Sequence, residues 1–295
     1  MHRGQHRVAH INFFSLLMIL INGECRDAIP SSDRGFQYGD GLFETIAIQR
    51  GRALFLERHL QRLAHGCQQL RLPLPDNALL RAEITQLIQA HNTQSAVLKI
   101  IITRGSGGRG YRQPASIIPT RLLSLHPFPD YPCSYSQEGI RVKLCQTRLG
   151  LNPQLAGIKH LNRLEQVLAR AEWDSPDIQE GIVLDSHGNV IEATMSNVFY
   201  VNQGSLYTAK LSQSGVAGII RALILERAAA LHIPCHVHSF GVDALFNADE
   251  VFVCNSIIGL WRVRQFEHKQ FNICADALSL RLQVDLQGYT LKSHA

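Results

Sequence analysis

The chain has 295 residues, 45% hydrophobic and 18% charged, which suits one large or two smaller globular domains and excludes disordered, collagen-like and coiled-coil chains. Its net charge of +5 is too small, and the basic residues too scattered, to indicate a nucleic-acid binder. Of 29 basic residues, 23 are arginine and six are lysine, so chemistry that needs a lysine has few places to occur.

Residues 1–17 hold two arginines, three histidines and no acid, and run into the apolar stretch Ile11–Ile21. Asn12 and Ser15 interrupt that stretch, no small-x-small cleavage site follows, and it is too short to cross a bilayer. The expectation is that Met18 opens the native chain and that 1–17 is a non-native or disordered extension. From Met18, MILING and LFETIAIQRGRALF predict short strands, with Gln49-Arg50-Gly51 as a hairpin connection. Leu60, Leu63, Ala64, Cys67 and Leu70 recur at helical spacing over 57–72, and Pro73 and Pro75 end that helix. A second helix is predicted over 77–90, then strands over 96–104 and 117–125. Three prolines within 126–138 mark a linker. Beyond it come strand IRVKLCQT, helix LNRLEQVLARAEW, strand GIVLD, the run VIEATMSNVFYV and SLYTA as a meander, a helix over 218–232, strand HVHSF, a short helix and strand EVFVCNS. The expected fold is α+β in two mixed domains, a smaller one over 18–130 and a larger one over 131–295.

Seven cysteines form no C-x-x-C pair and read as reduced thiols of a cytoplasmic protein. Cys235, His236 and His238 lack a convincing third ligand, so no metal is expected. Gly105-Ser-Gly107-Gly-Arg-Gly110 follows an apolar strand and matches a dinucleotide fingerprint, but Tyr111-Arg112-Gln113-Pro114 comes next, where that motif needs a helix. It reads instead as a loop presenting arginines suited to carboxylates. Lys159, between Ile158 and His160-Leu161, lies in apolar surroundings that favour a neutral amine. Arg58 and Arg62 stand i,i+4 on one helix face, able to hold a phosphate. Gly215-Val-Ala-Gly218-Ile219-Ile220 opens a helix whose free amides attract the same group, and Glu192 is a strand carboxylate among apolar residues. A lysine, a phosphate cup and a carboxylate that can pair with a pyridinium nitrogen describe a pyridoxal-phosphate site.

Seven segments carry a resemblance in order: SDRGFQYGDGLFET (32–45), FLERHLQRL (55–63), TRGSGGRGY (103–111), GIKHLNRLEQVLAR (157–170), VIEATMSNVFYV (190–201), GVAGIIR (215–221) and DEVFVCNS (249–256). On these the chain resembles the fold-type IV pyridoxal-phosphate enzymes, which include branched-chain and D-amino-acid aminotransferases and lyases acting on 4-amino-4-deoxychorismate. The segments GDGLFET, TRGSGGRGY and KHLNRLEQ are most similar to the lyase members. The resemblance implies that Lys159 attaches the cofactor and does the catalysis, and that Glu192 partners the pyridine nitrogen. It implies that Arg62, the amides of Ile219 and Ile220, and the polar atoms of Asn255 and Ser256 hold the phosphate. Arg109, Tyr111 and Thr45 become substrate-binding residues, and a homodimer is implied. Ile220 stands where the aminotransferases commonly have Thr, so one hydroxyl is missing from the cup. Tyr111 stands where D-amino-acid enzymes have His.

Overall fold

The computed structural model describes residues 19–293, so the expectation for residues 1–17 lies outside them. The first part runs β1 (Ile19–Ile21), β2 (Glu24–Cys25), α1 (Arg34–Tyr38), β3 (Gly41–Gln49), β4 (Arg52–Ala53), α2 (Leu56–Leu70), α3 (Asn77–His91), β5 (Ser95–Thr103) and β6 (Thr120–His126). Its strands form one antiparallel sheet of order β2-β1-β6-β5-β3-β4. Period-two alternation in β3 divides the sheet into two faces. Leu42, Ile46 and Ile48 point into a core with Leu60, Leu63 and Cys67 of α2 and Leu80, Ile84 and Leu87 of α3. Phe43 and Thr45 stand on the opposite face. The turn after β3 puts Arg50 and Gly51 at positive φ, matching the right-handed twist of a tight hairpin. Helix α2 stops at Leu70 because Arg71 turns left-handed and its amide closes on Cys67 and Gln68.

Past the proline-rich stretch come α4 (Ser134–Gln137), β7 (Ile140–Leu149), α5 (Leu164–Arg170), β8 (Glu180–Asp185), β9 (Val190–Ala193), β10 (Asn197–Asn202), β11 (Ser205–Ala209) and α6 (Ile219–Ala230). The chain ends with β12 (Cys235–His238), α7 (Val242–Phe246), β13 (Glu250–Asn255), β14 (Gly259–Phe266), β15 (Lys269–Gln270) and α8 (Leu278–Ser293). The second sheet is mixed, of order β12-β11-β10-β13-β14-β7-β8-β9, with β15 against β14. Strand β9 also touches β10 and β11, so the sheet curls back toward itself. Helices α6 and α8 cover β13, burying Leu223, Ile224 and Leu282 against the stacked rings of Phe199 and Phe252.

Two expectations change. The run VIEATMSNVFYV is two strands, broken at Thr194–Ser196. The fully buried carboxylate of Glu180 gathers the Thr194 and Met195 amides and the Thr194 and Ser196 hydroxyls, and these donors satisfy a charge only if the chain turns there. The helix expected over 161–173 covers only Leu164–Arg170, because Leu161 donates its amide to Gly41 of β3 and the segment before it is extended.

Candidate active site

Lys159 sits on a short segment clamped between strand β3 and the 215–217 loop that leads into α6. Its carbonyl accepts from the Phe43 amide at 3.0 Å, and Leu161 donates to Gly41 at 3.0 Å. On the other side Gly157 donates to Gly215 and Ala217 donates to Gly157, both at 2.9 Å. Gly157 and Gly215 lie at φ +82° and +84°, where a side chain would be strained. Alternation sends Ile158 into the core of the first sheet and leaves Lys159 facing the junction. Its Nζ lies 4.2 Å from the centroid of the Phe43 ring. Burial, then the Arg62 charge, pushes the amine down to about 8 against the opposing pull of Glu44 and Glu192.

Glu192 on β9 is buried, and burial pushes its carboxyl above the usual carboxylate range. Its Oε2 accepts from the Val216 amide at 2.8 Å and its Oε1 from Gln166 Nε2 at 3.4 Å, with the Arg163 charge nearby. The Val216 bond ties the carboxylate to the segment leading into α6. Gly218 is the N-cap of α6 and carries no capping side chain, so the Ile219 and Ile220 amides open the helix while their side chains pack in the core. A Cβ on Gly218 would lie 2.0 Å from Asn197 Oδ1, and one on Gly215 would lie 2.7 Å from Ile191 Cγ2. Only glycines let this loop pack so closely.

Arg62 reaches the same loop from α2 and donates Nη1 to the Ala217 carbonyl at 3.0 Å. Its Nε and Nη2 grip the Glu44 carboxylate at 2.8 and 2.5 Å. Burial would raise the Glu44 carboxyl, yet Arg62 and His59 hold it down at about 2. His59, fully buried, has a pKa lowered by burial and donates Nδ1–H to Glu44 at 2.6 Å, leaving Nε2 without a partner among the described residues. Arg58 departs from its expected place: both its Nη atoms bind Glu226 of α6, at 2.7 and 2.8 Å, so Arg62 alone of the pair reaches the loop before α6.

Asn255 ends β13 and Ser256 follows it; β13 pairs with β10 through Cys254 and Asn197. Asn197 in turn donates to the Val216 carbonyl, so the 255–258 turn lies at the same end of the sheet as the α6 start. The Asn255 amide is engaged in shaping that turn: Nδ2 donates to Met195, and Oδ1 accepts from Ile257 and Ile258. Thr45 stands on the Phe43 face of β3, opposite Lys99, whose Nζ lies 5.7 Å from the same Phe43 ring. Arg109 and Tyr111 are exposed on the 104–119 loop. No hydrogen bond, ion pair or ring contact joins either to Lys159 among the described residues; the Tyr111 ring instead meets Tyr38 at 5.5 Å. No helix opens at the 105–110 glycines.

Sequence reasoning did not single out Glu44, Phe43, His59, Arg163 and Gln166. Glu44 had a signal, a charge at a core position of the alternation Leu42, Glu44, Ile46, Ile48, which demands a buried partner. Arg163, the N-cap of the next helix, and Gln166 in its first turn follow Lys159 at a spacing too common to be informative.

Residues 41–266 match the family model for amino-transferase class IV, and the chain belongs to that family. An aminodeoxychorismate lyase of Vibrio harveyi is 37% identical over 244 residues, spanning 82% of this chain and 89% of that protein. The crystal structure of 4-amino-4-deoxychorismate lyase from Pseudomonas aeruginosa is 44% identical, with a TM-score of 0.87, 92% of this chain and 98% of that one covered. The branched-chain amino acid aminotransferase of Escherichia coli superposes with a TM-score of 0.82 at 25% identity, covering 92% of this chain and 93% of that one. No helix among the described residues is long and apolar enough to cross a membrane.

Proposed function

We propose that the chain is a pyridoxal-phosphate-dependent lyase that converts 4-amino-4-deoxychorismate into 4-aminobenzoate and pyruvate, supplying folate synthesis. The observation that carries the reading is the amine of Lys159, brought down to about 8 and standing at the sheet junction with Glu192 and Arg62, in a chain 37% and 44% identical to two lyases of that name. The residues fit the cofactor. Lys159 offers an amine that is partly neutral near pH 8, the buried Glu192 carboxylate suits a pyridinium, and α6 opens at Gly218 with no side-chain cap on its first amides. Arg62, the Ile219 and Ile220 amides and the 255–256 turn would hold its phosphate.

When bound, pyridoxal phosphate supplies an electron sink for the carbon that carries the substrate amine. Lys159 would be the residue that holds it covalently through Nζ, leaving that amine free once substrate is bound. The freed Lys159 Nζ is then a neutral base, able to take the C4 proton and return a proton to the departing three-carbon unit as the C3–O bond breaks. Glu192 would face the pyridine nitrogen and favour its protonated form. Arg109, Thr45 and Tyr111 would bind the substrate carboxylates. A homodimer in the cytoplasm, where its seven free cysteines stay reduced, completes the reading.

The test is release of 4-aminobenzoate and pyruvate from enzymatically generated aminodeoxychorismate with no oxo acid present. One-to-one formation of both, lost in Lys159→Ala, is expected. Amino transfer to an oxo acid without 4-aminobenzoate would move the function to an aminotransferase of branched-chain or D-amino acids.

A further inference from the structure

We propose that Arg34 is a positioning residue: its buried guanidinium holds the 105–112 loop so that Arg109 is presented to the substrate carboxylate. The proposal rests on the reading of Arg109 as a substrate-binding residue.

Arg34 opens α1 and is only 3% exposed. Its Nε donates to Asp40 Oδ2 at 2.9 Å, its Nη1 to the Gly110 carbonyl at 3.0 Å and its Nη2 to the Tyr111 carbonyl at 3.4 Å. The guanidinium lies over the Tyr38 ring at 4.8 Å, and the Tyr111 ring meets that same ring. Asp40 has a second cation besides Arg34. Arg104 binds both its oxygens, at 2.8 and 3.0 Å, and also donates to the Leu70 and Arg71 carbonyls. Arg34 is therefore the second cation on one carboxylate, and the donors left over point at the loop.

The loop is pinned at two places. Near its start, Arg34 donates its amide to Gly105, Gly107 donates to Ser32, and the Ser32 hydroxyl reaches Ser106. At its far side the Gly110 and Tyr111 carbonyls are held by the Arg34 side chain. Arg109 lies between the two pins. Gly108 and Gly110 face open space, so neither is there for close packing, and both add backbone freedom that the far pin must offset. Gly105 and Gly107 are tightly packed: a Cβ on Gly107 would lie 2.8 Å from Arg34 Cδ, and one on Gly105 would lie 1.9 Å from the Ile118 carbonyl oxygen. The run that mimics a dinucleotide fingerprint thus has two glycines that admit Arg34 and the Ile118 carbonyl, and two that leave the tip free. A lysine cannot replace Arg34, because one ammonium cannot serve a carboxylate and two diverging carbonyls as a planar fork does.

The test compares Arg34→Lys, Arg109→Ala and the double variant as holoenzymes, together with limited trypsin digestion after Arg109 and Arg112. Arg34→Lys is expected to raise KM about tenfold, as for loss of one to two hydrogen bonds, with kcat changed less than about threefold. In the Arg109→Ala background the same substitution should change KM less than about twofold, because both act through one contact. Cleavage in the loop should be about tenfold faster in Arg34→Lys, from an opening about 1.4 kcal/mol easier. Gly107→Ala displaces the guanidinium without removing it and should give the same pattern, guarding against a fold defect of Arg34→Lys. A full KM effect of Arg34→Lys in the Arg109→Ala background, or unchanged cleavage in both loop variants, would overturn the proposal. If Arg109→Ala alone leaves KM unchanged, the role of Arg109 falls, and faster cleavage would then show Arg34 holding a loop with another task.

Discussion

Lys159 and Arg109 are both cations assigned to one reaction, yet their surroundings differ sharply. Around Lys159 the frame is tied down: β3 and the 215–217 loop clamp its segment, Glu192 is bound to the 216 amide, and Glu44 fixes Arg62 with His59 behind it. Around Arg109 the chain is exposed and rich in glycine, and its far side is held by the buried Arg34 and by the contact of the Tyr111 and Tyr38 rings. Groups that must meet a cofactor in one geometry gain from a preorganised, buried frame, because any looseness there weakens the reaction itself. A residue that meets substrates entering and leaving can sit on a loop, where its position can change. Changes near Lys159 should therefore act on kcat, cofactor retention or stability, and changes near Arg109 mainly on KM.

The strongest way to break the frame is Lys159→Ala, expected to lower kcat/KM by about 10³-fold or more and to remove covalent cofactor attachment, read by activity and absorption. Next is Glu44→Ala, which leaves Arg62 buried without its counter-charge and should cost about 3 kcal/mol in urea unfolding. Glu192→Gln keeps size and removes the charge, and should lower kcat about 10²-fold with the cofactor still attached. Arg58→Ala, at the partly exposed pair with Glu226, should cost less than about 1 kcal/mol in the same unfolding experiment. A loss as large as that of Glu44→Ala would show that the frame extends to α6 through Arg58.

pH sharpens the contrast through stability. The folded Lys159 amine titrates at about 8, below its ordinary value of 10.5, so protonated Lys159 penalises the fold in full below pH 8. Between 8 and 10.5 the unfolded chain binds more protons than the folded one, so this group's contribution becomes more favourable as pH rises. Cofactor-free Lys159→Met should therefore gain stability over wild type at pH 7, with the gain shrinking by pH 10. Glu44 runs the other way. Its stabilisation is present above 4.5 and is lost as pH falls toward about 2. A Lys159→Met advantage that is constant with pH would contradict the buried-amine account.

Much of this was legible locally. Lys159, Glu192 and the 215–220 turn are marked by short runs of residue types whose chemistry is recognisable without a fold, and the β3 and α2 periods show in the apolar spacing. What was hidden depends on pairs far apart in sequence. Glu44 and Arg62 are joined across a strand and a helix, and Glu180 breaks the run from 190 to 201 with a carboxylate ten or more positions away. Arg58 shares a face with Arg62 by spacing, but its partner on α6 appears only when the halves are folded together. The strand β14 hides because Arg262 and Arg264 interrupt its apolar pattern; buried Arg262 is accepted there because its Nη2 donates to the Gln137 carbonyl.

Two lysines flank the Phe43 ring, Lys159 at 4.2 Å and Lys99 at 5.7 Å, so the most direct measurement asks which one carries the cofactor. Borohydride reduction of the enzyme with pyridoxal phosphate, followed by peptide mapping, should fix the label on the peptide containing Lys159 and leave the Lys99 peptide unmodified. Label on Lys99, or none that survives reduction, would contradict the account.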